Sequence, residues 1–270
     1  MPIITISRGS YSKGKEVAEN VAQRLGYECI SREVLVEASD HFNIPEIKLV
    51  RALHDAPSIL ERFTYGKERY LAYIESAFLD RVQNDNVVYH GLAGHFFLRG
   101  VGHVLKVRIL ADIEDRIRLE MDRENISREQ ALYILKKDDQ ERRQWSMRLF
   151  GADSWDSSLY DLVIHVKKLK LEDAVDIVCR TAQLEQFRTT LDSRNTLNDL
   201  VMAARVKAEL IETCQGVSVT AQDGTIYVSA HARAREAPQL AADLKSLAKK
   251  VPGVTDVRIE VGPVVTFFSD

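Results

Sequence analysis

The sequence predicts an α/β protein: a parallel sheet between two layers of helices, followed by a small αββαβ unit. Three features lead there. Through most of the 270 residues, short β-rich apolar runs alternate with stretches of helical periodicity, the pattern of strands joined by helical crossovers. A Gly/Ser/Lys-rich turn joins the first such run to the first such helix. The character then changes after residue 187, where a compact helix-hairpin-helix-strand pattern takes over.

In chain order, residues 3–7 form a β-rich run that ends in the glycine turn. Val17, Val21 and Leu25, with Ala18 and Ala22 beside them, set a helix over 15–25. Residues 45–83 are mostly helical, opened by Asn43 and Pro45. Residues 86–89 and 104–110 read as strands and 113–149 as helices, with Ser127 and Gln130 spaced as a capping box. Residues 162–166 are the last strand of this block. Its last helix spans 171–186, with Ala174, Ile177, Val178 and Ala182 on one side. The polar, aperiodic RTTLDSRNT at 188–196 reads as a linker. Leu197, Val201, Ala204, Ala208 and Ile211 then mark an amphipathic helix. Strands at 217–221 and 225–230 meet at Asp223-Gly224, a strong hairpin signal. A second helix carries Leu240, Leu244, Leu247 and Val251 and stops at Pro252-Gly253, and 254–261 alternates as a strand. The division is therefore 1–187, a linker at 188–196, and 197–270. The tail GPVVTFFSD is apolar enough for an added edge strand or core plug, or for a contact in a homo-oligomer.

Composition narrows the partners. Lys and Arg total 37 against 40 Asp and Glu, a net charge of -3. That gives no global attraction to nucleic acid or anionic membrane, so any anion site is local. Cys29, Cys179 and Cys214 have no metal-ligand spacing and suit a reducing compartment. The opening MPIITISRG does not read as a signal peptide, and no apolar run is long enough to span a membrane. The expectation is a cytoplasmic protein.

The glycine turn carries the chemistry. Gly9, four residues, then Gly14-Lys15 fit the first part of the P-loop pattern. Glycines let successive backbone N–H groups converge on one anion, the next helix adds the positive end of its dipole, and lysine supplies a mobile cation. The residue after Lys15 is Glu16, where a P-loop places the Ser or Thr that binds Mg²⁺. Ser10 and Ser12 are the hydroxyls inside the turn, and Ser12 is the one suited to a phosphate oxygen or the ion.

On these residues residues 1–183 resemble the cytidylate kinase-like family of P-loop nucleotide kinases. Members begin with a strand, ISR, a Gly/Ser-rich loop, and then basic, acidic, aliphatic and Ala residues. Here these are Ile6-Ser7-Arg8, the loop to Gly14, and Lys15-Glu16-Val17-Ala18. The segments LGYECISREVL, RENISREQALYILKKDDQERRQW and DSSLYDLVIHVKKLKLEDAVDIV continue the likeness. The resemblance implies a P-loop NTPase fold with a helical lid, and phosphoryl transfer from ATP, with Mg²⁺, to a nucleoside monophosphate such as CMP or dCMP. Gly9, Ser10, Tyr11, Ser12, Lys13, Gly14, Lys15 and Glu16 would hold the donor's phosphates. No protein side chain is assigned to the metal, which comes with the phosphates. Arg142 and Arg143, on the lid helix, would close over the transferring group. KKDDQERRQ is also how a solvated, salt-bridged helix reads. Asp138 and Asp139 are open to metal support or to pairing with those arginines.

The chain departs from the family in places. Tyr11 and Lys13 stand where members often have glycine. The run Ile30-Ser31-Arg32-Glu33 alters the charge after the first helix. Relatives often carry Gly-Arg after the strand at 87–90, and here Gly91 is followed by Leu92. His90, at that strand's end, and Gly91 are acceptor-side candidates, as are Arg32 and Arg51, with His95, Arg99 and Arg62 weaker ones. Trp155 and Tyr160 offer base stacking or ordinary packing. Residues 197–261 resemble a BON domain through VSVTAQDGTIYVSA and VPGVTDVRIEV, which implies a binding module with an unknown partner. Two readings stay open: a nucleotide kinase joined to a docking module, and a nucleotide sensor that signals through that module.

Overall fold

A computed structural model describes residues 2–9, 13–31, 33–43, 67–91 and 93–263. Ser10, Tyr11, Ser12, Arg32, Arg51, Arg62, Leu92 and the tail from 264 lie outside the described residues.

β1 (Ile3–Arg8) is the centre of a five-stranded sheet. β3 (Val87–His90) and β4 (Val104–Ala111) flank it. β2 (Glu28–Ile30) lies beyond β3 and β5 (Leu162–Val166) beyond β4. The order β2-β3-β1-β4-β5 is parallel throughout, with Ile4 opposite both Val88 and Leu105. All strand C-termini therefore open on one edge. There the connection from β1 runs to β2 on one side and that from β3 crosses to β4 on the other, and such a reversal is where open α/β sheets take their ligands.

Both faces are apolar, as a parallel sheet requires. Ile4, Ile6, Val107, Ile109 and Ile164 pack against Val17 and Val21 of α1 (Gly14–Leu25) and Val175 and Val178 of α7 (Leu171–Ala182). On the other face, Ile3, Val87, Tyr89 and Val104 meet α2 (Glu33–Phe42), α3 (Lys67–Val82) and the short α4 (Gly94–Phe97). The helices expected to form a lid are α5 (Ile113–Glu124) and α6 (Arg128–Phe150). Asp112 caps α5, and the Ser127/Gln130 capping box forms as the spacing predicts.

Residues 188–196 are not an irregular linker. α8 runs Leu191–Leu210, and Thr190 caps it by accepting the Ser193 amide proton. The polar residues that hid this helix are spoken for. Thr189 and Arg194 both bind the buried Asp85 carboxylate, which also takes His103 Nε2 at 3.0 Å. Burial alone would raise the Asp85 carboxyl; the hydrogen bonds from His103 and Thr189 outweigh it and hold the group below its ordinary value. The helix also buries two sides. Leu197, Val201 and Ala204 join the core beneath the large sheet, and Val206, Ala208 and Leu210 join a second core with Ala72 and Tyr73 of α3.

Beyond α8 come β6 (Ser218–Gln222), β7 (Thr225–Ala232), α9 (Ala237–Ala248) and β8 (Asp256–Pro263). Asp223 and Gly224 both have positive φ, the conformation a two-residue hairpin demands. β6 and β7 are antiparallel, and β7 and β8 are parallel.

Candidate active site

The site forms where β1 ends. Ser7, Arg8 and Gly9 lead off the strand, and α1 begins at Gly14. A Cβ on Gly14 would lie 2.6 Å from Arg8 Cβ, so the helix can start this close to the strand only with glycine. Lys13, just before α1, takes a left-handed φ of 60°.

α5 and α6 pack over this corner through arginines. Arg116 of α5 makes a two-pronged pair with Asp139 of α6, at 2.9 Å on each prong, directly against Gly9. Asp139, which the sequence left open to metal support or to pairing with Arg142 or Arg143, is engaged by Arg116. One turn on, Arg142 Nη1 donates to the Arg8 carbonyl at 3.0 Å. Burial, then the nearby charge of Arg8, lowers the Arg142 pKa. It remains charged at neutral pH because guanidinium starts so high. Arg142 has no ion pair with a described carboxylate. Arg143 points elsewhere. It is exposed, binds Asp153 with Nε at 2.8 Å, and stacks over Trp155 at 5.0 Å.

Arg142 lines a cleft with Ser7, Gly9, Arg108, Ser154 and Trp155. Tyr160 stands at its edge as a hub. Its hydroxyl donates to the Ser154 carbonyl at 2.9 Å and lies 3.3 Å from Arg108 Nη1, 3.3 Å from Ser7 Oγ and 3.4 Å from His95 Nε2. Burial, then the charges of Lys106, Arg108 and Arg99, push the His95 pKa down to about 3. His95 is therefore a neutral imidazole near pH 7. A second pocket at the ends of β4 and β5 mixes apolar residues, among them Ala111, Leu119 and Val166, with the charged Lys13, Asp115, Lys167 and Lys170.

The other expected residues fall differently. Lys15 is exposed on the first turn of α1, 3.6 Å from Glu19. Glu16 is exposed beside it. His90 closes β3 and is buried, and neither it nor Gly91 lines the cleft. Gly91 has a packing reason: a Cβ there would lie 2.4 Å from the Tyr89 hydroxyl. Among the described residues no three His, Cys, Asp or Glu side chains gather to hold a metal ion, and no helix is long and apolar enough to cross a membrane.

Sequence reasoning missed Arg108, Arg116 and the hub role of Tyr160. Arg108 left a trace. A parallel strand covered on both faces reads as continuous apolar residues, and VLKVRIL is broken at alternate positions by Lys106 and Arg108. That spacing marks one face of β4 as wet toward the ligand-binding edge.

A parallel α/β protein with a glycine turn and an arginine-lined cleft at its strand ends belongs to the class built to hold anionic groups. Comparison with known proteins narrows the class. The profile of the cytidylate kinase-like family matches residues 3–168, and the chain belongs to that family. A cytidylate kinase of Sulfolobus acidocaldarius is 25% identical over 194 residues, spanning 70% of this chain and 98% of that protein. The solved structure of an uncharacterized protein from Eubacterium ventriosum shares the fold, with a TM-score of 0.52 and 22% identity. It covers 67% of this chain and 98% of its own. The family match ends before α7.

Proposed function

We propose that the chain is an ATP-dependent phosphotransferase that moves the γ-phosphoryl group to a nucleoside monophosphate of the CMP or dCMP kind. The observation that carries this is Arg142: a half-buried guanidinium tied to the carbonyl of Arg8, beside Gly9, that feels Asp138 and Asp139 but forms no ion pair with a described carboxylate. Family membership points the same way.

The acceptor's phosphate oxygen attacks the γ-phosphorus in line. The bond from that phosphorus to the β,γ-bridging oxygen breaks, and ADP leaves with the electron pair. Such transfer depends on positioning and on stabilising the charge that spreads over the transferring group. Arg142 is placed for that role, and Arg116 with Asp139 holds the lid against Gly9 so that Arg142 reaches the loop. Backbone N–H groups at the start of α1 face the donor's phosphates. Lys15 turns from Glu19 to the phosphates when the donor binds. The pocket at the ends of β4 and β5, lined by Ala111, Leu119, Val166, Leu169 and Leu171 together with Lys13, Asp115, Lys167 and Lys170, takes the donor's base. Mg²⁺ enters with ATP and neutralises phosphate charge.

A second reading, a nucleotide sensor, draws on one observation: the core of the C-terminal unit includes Ala72 and Tyr73 of α3. The BON-like unit would then be the output, and its partner a ligand yet to be identified. One assay separates the two. ADP release from Mg·ATP is measured with CMP, dCMP, UMP and AMP offered singly, and with Lys15→Ala as control. Acceptor-dependent release that is lost in the variant supports the kinase. ATP binding without any release above the variant overturns it.

A further inference from the structure

Three arginines line the cleft or its floor without an ion pair to any described carboxylate: Arg8, Arg108 and Arg142. Their neighbours are satisfied, Arg116 by Asp139 and Arg143 by Asp153. Arg142 is committed to the loop through the Arg8 carbonyl. Arg108 is not. It projects from the last part of β4, where the register sets Ser7 opposite Arg108 and Arg108 opposite Val163. Partners in a parallel ladder point to the same face. Ser7 and Arg108 therefore share a row two positions before Gly9, on the face away from α1.

Arg108 is held there rather than free to wander. Its guanidinium lies over the Tyr160 ring at 5.5 Å, with Nη1 3.3 Å from the Tyr160 hydroxyl. That hydroxyl spends its proton on the Ser154 carbonyl at 2.9 Å, which leaves a lone pair for Arg108. The nearest described carboxylate that feels its charge, Asp153, is committed to Arg143, and a half-buried guanidinium with one edge pinned and no ion pair of its own gains from an anion that completes it. The planar fork fits two oxygens of a phosphate group.

We propose that Arg108 docks the phosphate of the acceptor, a phosphate monoester of the nucleoside monophosphate class, and that Tyr160 is the positioning residue that aims it. The word acceptor rests on the phosphotransferase reading; the anion site does not. In-line transfer needs the two phosphates held by separate groups. Arg142 at the loop and Arg108 one strand away meet that need. The assignment also accounts for Leu92: the chain has no arginine directly after β3 and carries one on β4 instead.

The test is equilibrium binding by titration calorimetry with the full chain. CMP, dCMP, UMP, AMP and inorganic phosphate are each titrated into wild type, Arg108→Gln, Arg108→Lys and Tyr160→Phe, with ATP as the donor control. The best monophosphate binds at least about tenfold more weakly to Arg108→Gln, the equivalent of one lost charge-assisted hydrogen bond. Arg108→Lys recovers part of that loss, because it restores the charge without the fork. Tyr160→Phe weakens monophosphate binding about threefold, and ATP affinity stays within about twofold in every variant. In turnover, Arg108→Lys raises the acceptor KM more than it lowers kcat, and the ATP KM holds. The proposal is overturned if wild type binds no monophosphate or phosphate, or if neither Arg108 variant weakens binding. Should Arg108→Gln not fold, Arg108→Lys decides alone. Binding that depends on Arg108 without any transfer upholds the site and removes the kinase reading. Transfer with an unchanged acceptor KM in Arg108→Lys removes the site and upholds the kinase.

Discussion

The two sheets of this molecule treat their charges in opposite ways. At the ligand-binding edge of the five-stranded sheet, Arg8, Arg108 and Arg142 gather around a glycine turn with no described carboxylate pairing any of them. The open face of the three-stranded sheet displays Tyr227, Ser229, His231, Arg258 and Glu260, and its cation is already answered. Arg258 lies over the Tyr227 ring at 5.5 Å and 3.6 Å from Asp256. The contrast is instructive because both regions contain arginine. A surface that neutralises its own charge is complete as it stands. A partly desolvated cleft whose guanidiniums have no ion pair of their own is suited to an anion.

The comparison can be broken first at the element that joins the two units. Asp85 ties His103 of the large unit to Thr189 and Arg194 at the start of α8. Asp85→Ala strands those partners and is expected to cost about 3–5 kcal/mol, as removal of one member of a buried ionic cluster does. Urea unfolding at neutral pH measures it. The carboxyl is depressed in the folded chain, so its contribution is fully present above the unfolded aspartate value of about 3.9 and is lost as pH falls through the lower folded value. In Asp85→Asn that part of the acid dependence disappears.

Arg142→Gln comes next. It removes the loop-bound cation and is expected to lower kcat about 100-fold, the scale for one preorganised donor to a developing charge. Steady-state kinetics at saturating ATP and acceptor reads it. Near-normal turnover would sink the role assigned to Arg142. Gly14→Ala tests the backbone of the same corner. The added methyl meets Arg8 Cβ, and the expected loss is about 1–3 kcal/mol with weakened ATP binding. Thermal unfolding with and without ATP separates the two effects. Arg143→Gln, one residue from Arg142, is expected to change kcat less than about threefold, because its ion pair with Asp153 sits at the exposed rim. The smallest effect belongs to the finished surface. Arg258→Gln should shift stability by no more than about 0.5 kcal/mol, and a larger loss would show that the three-stranded face is less self-contained than its pairing implies.

Much of the fold was legible because its signals are local. Ile3, Ile4 and Ile6 with the glycine turn announce β1 and α1. Ser127 and Gln130 announce the start of α6, and Asp223-Gly224 announces the hairpin of β6 and β7. β2 and α2 were harder to see, since Glu28–Ile30 is only three residues and gains its strand character from Val87 and Val88 of β3. The start of α8 was misread for a related reason. Thr189, Thr190 and Arg194 look like linker residues until Asp85 is brought to them from 100 positions away in the chain.

The site divides along the same line. Glycine spacing, the basic residues after it and the cytidylate kinase-like pattern are properties of neighbouring residues, so the sequence alone was enough to place the chain in its family and to single out the loop proposed for the donor. It could not rank Arg142 against Arg143. Adjacent residues on a helix point about 100° apart, and a solvated helix and a lid spell the same charges. Only the packing of α6 over Gly9 decided that Arg142 faces the Arg8 carbonyl and Arg143 faces Asp153. Arg108 was likewise decided by tertiary structure, because its worth depends on what surrounds it: Ser7 in the facing register position, Tyr160 beneath its guanidinium, and a nearby carboxylate, Asp153, that is already paired with Arg143.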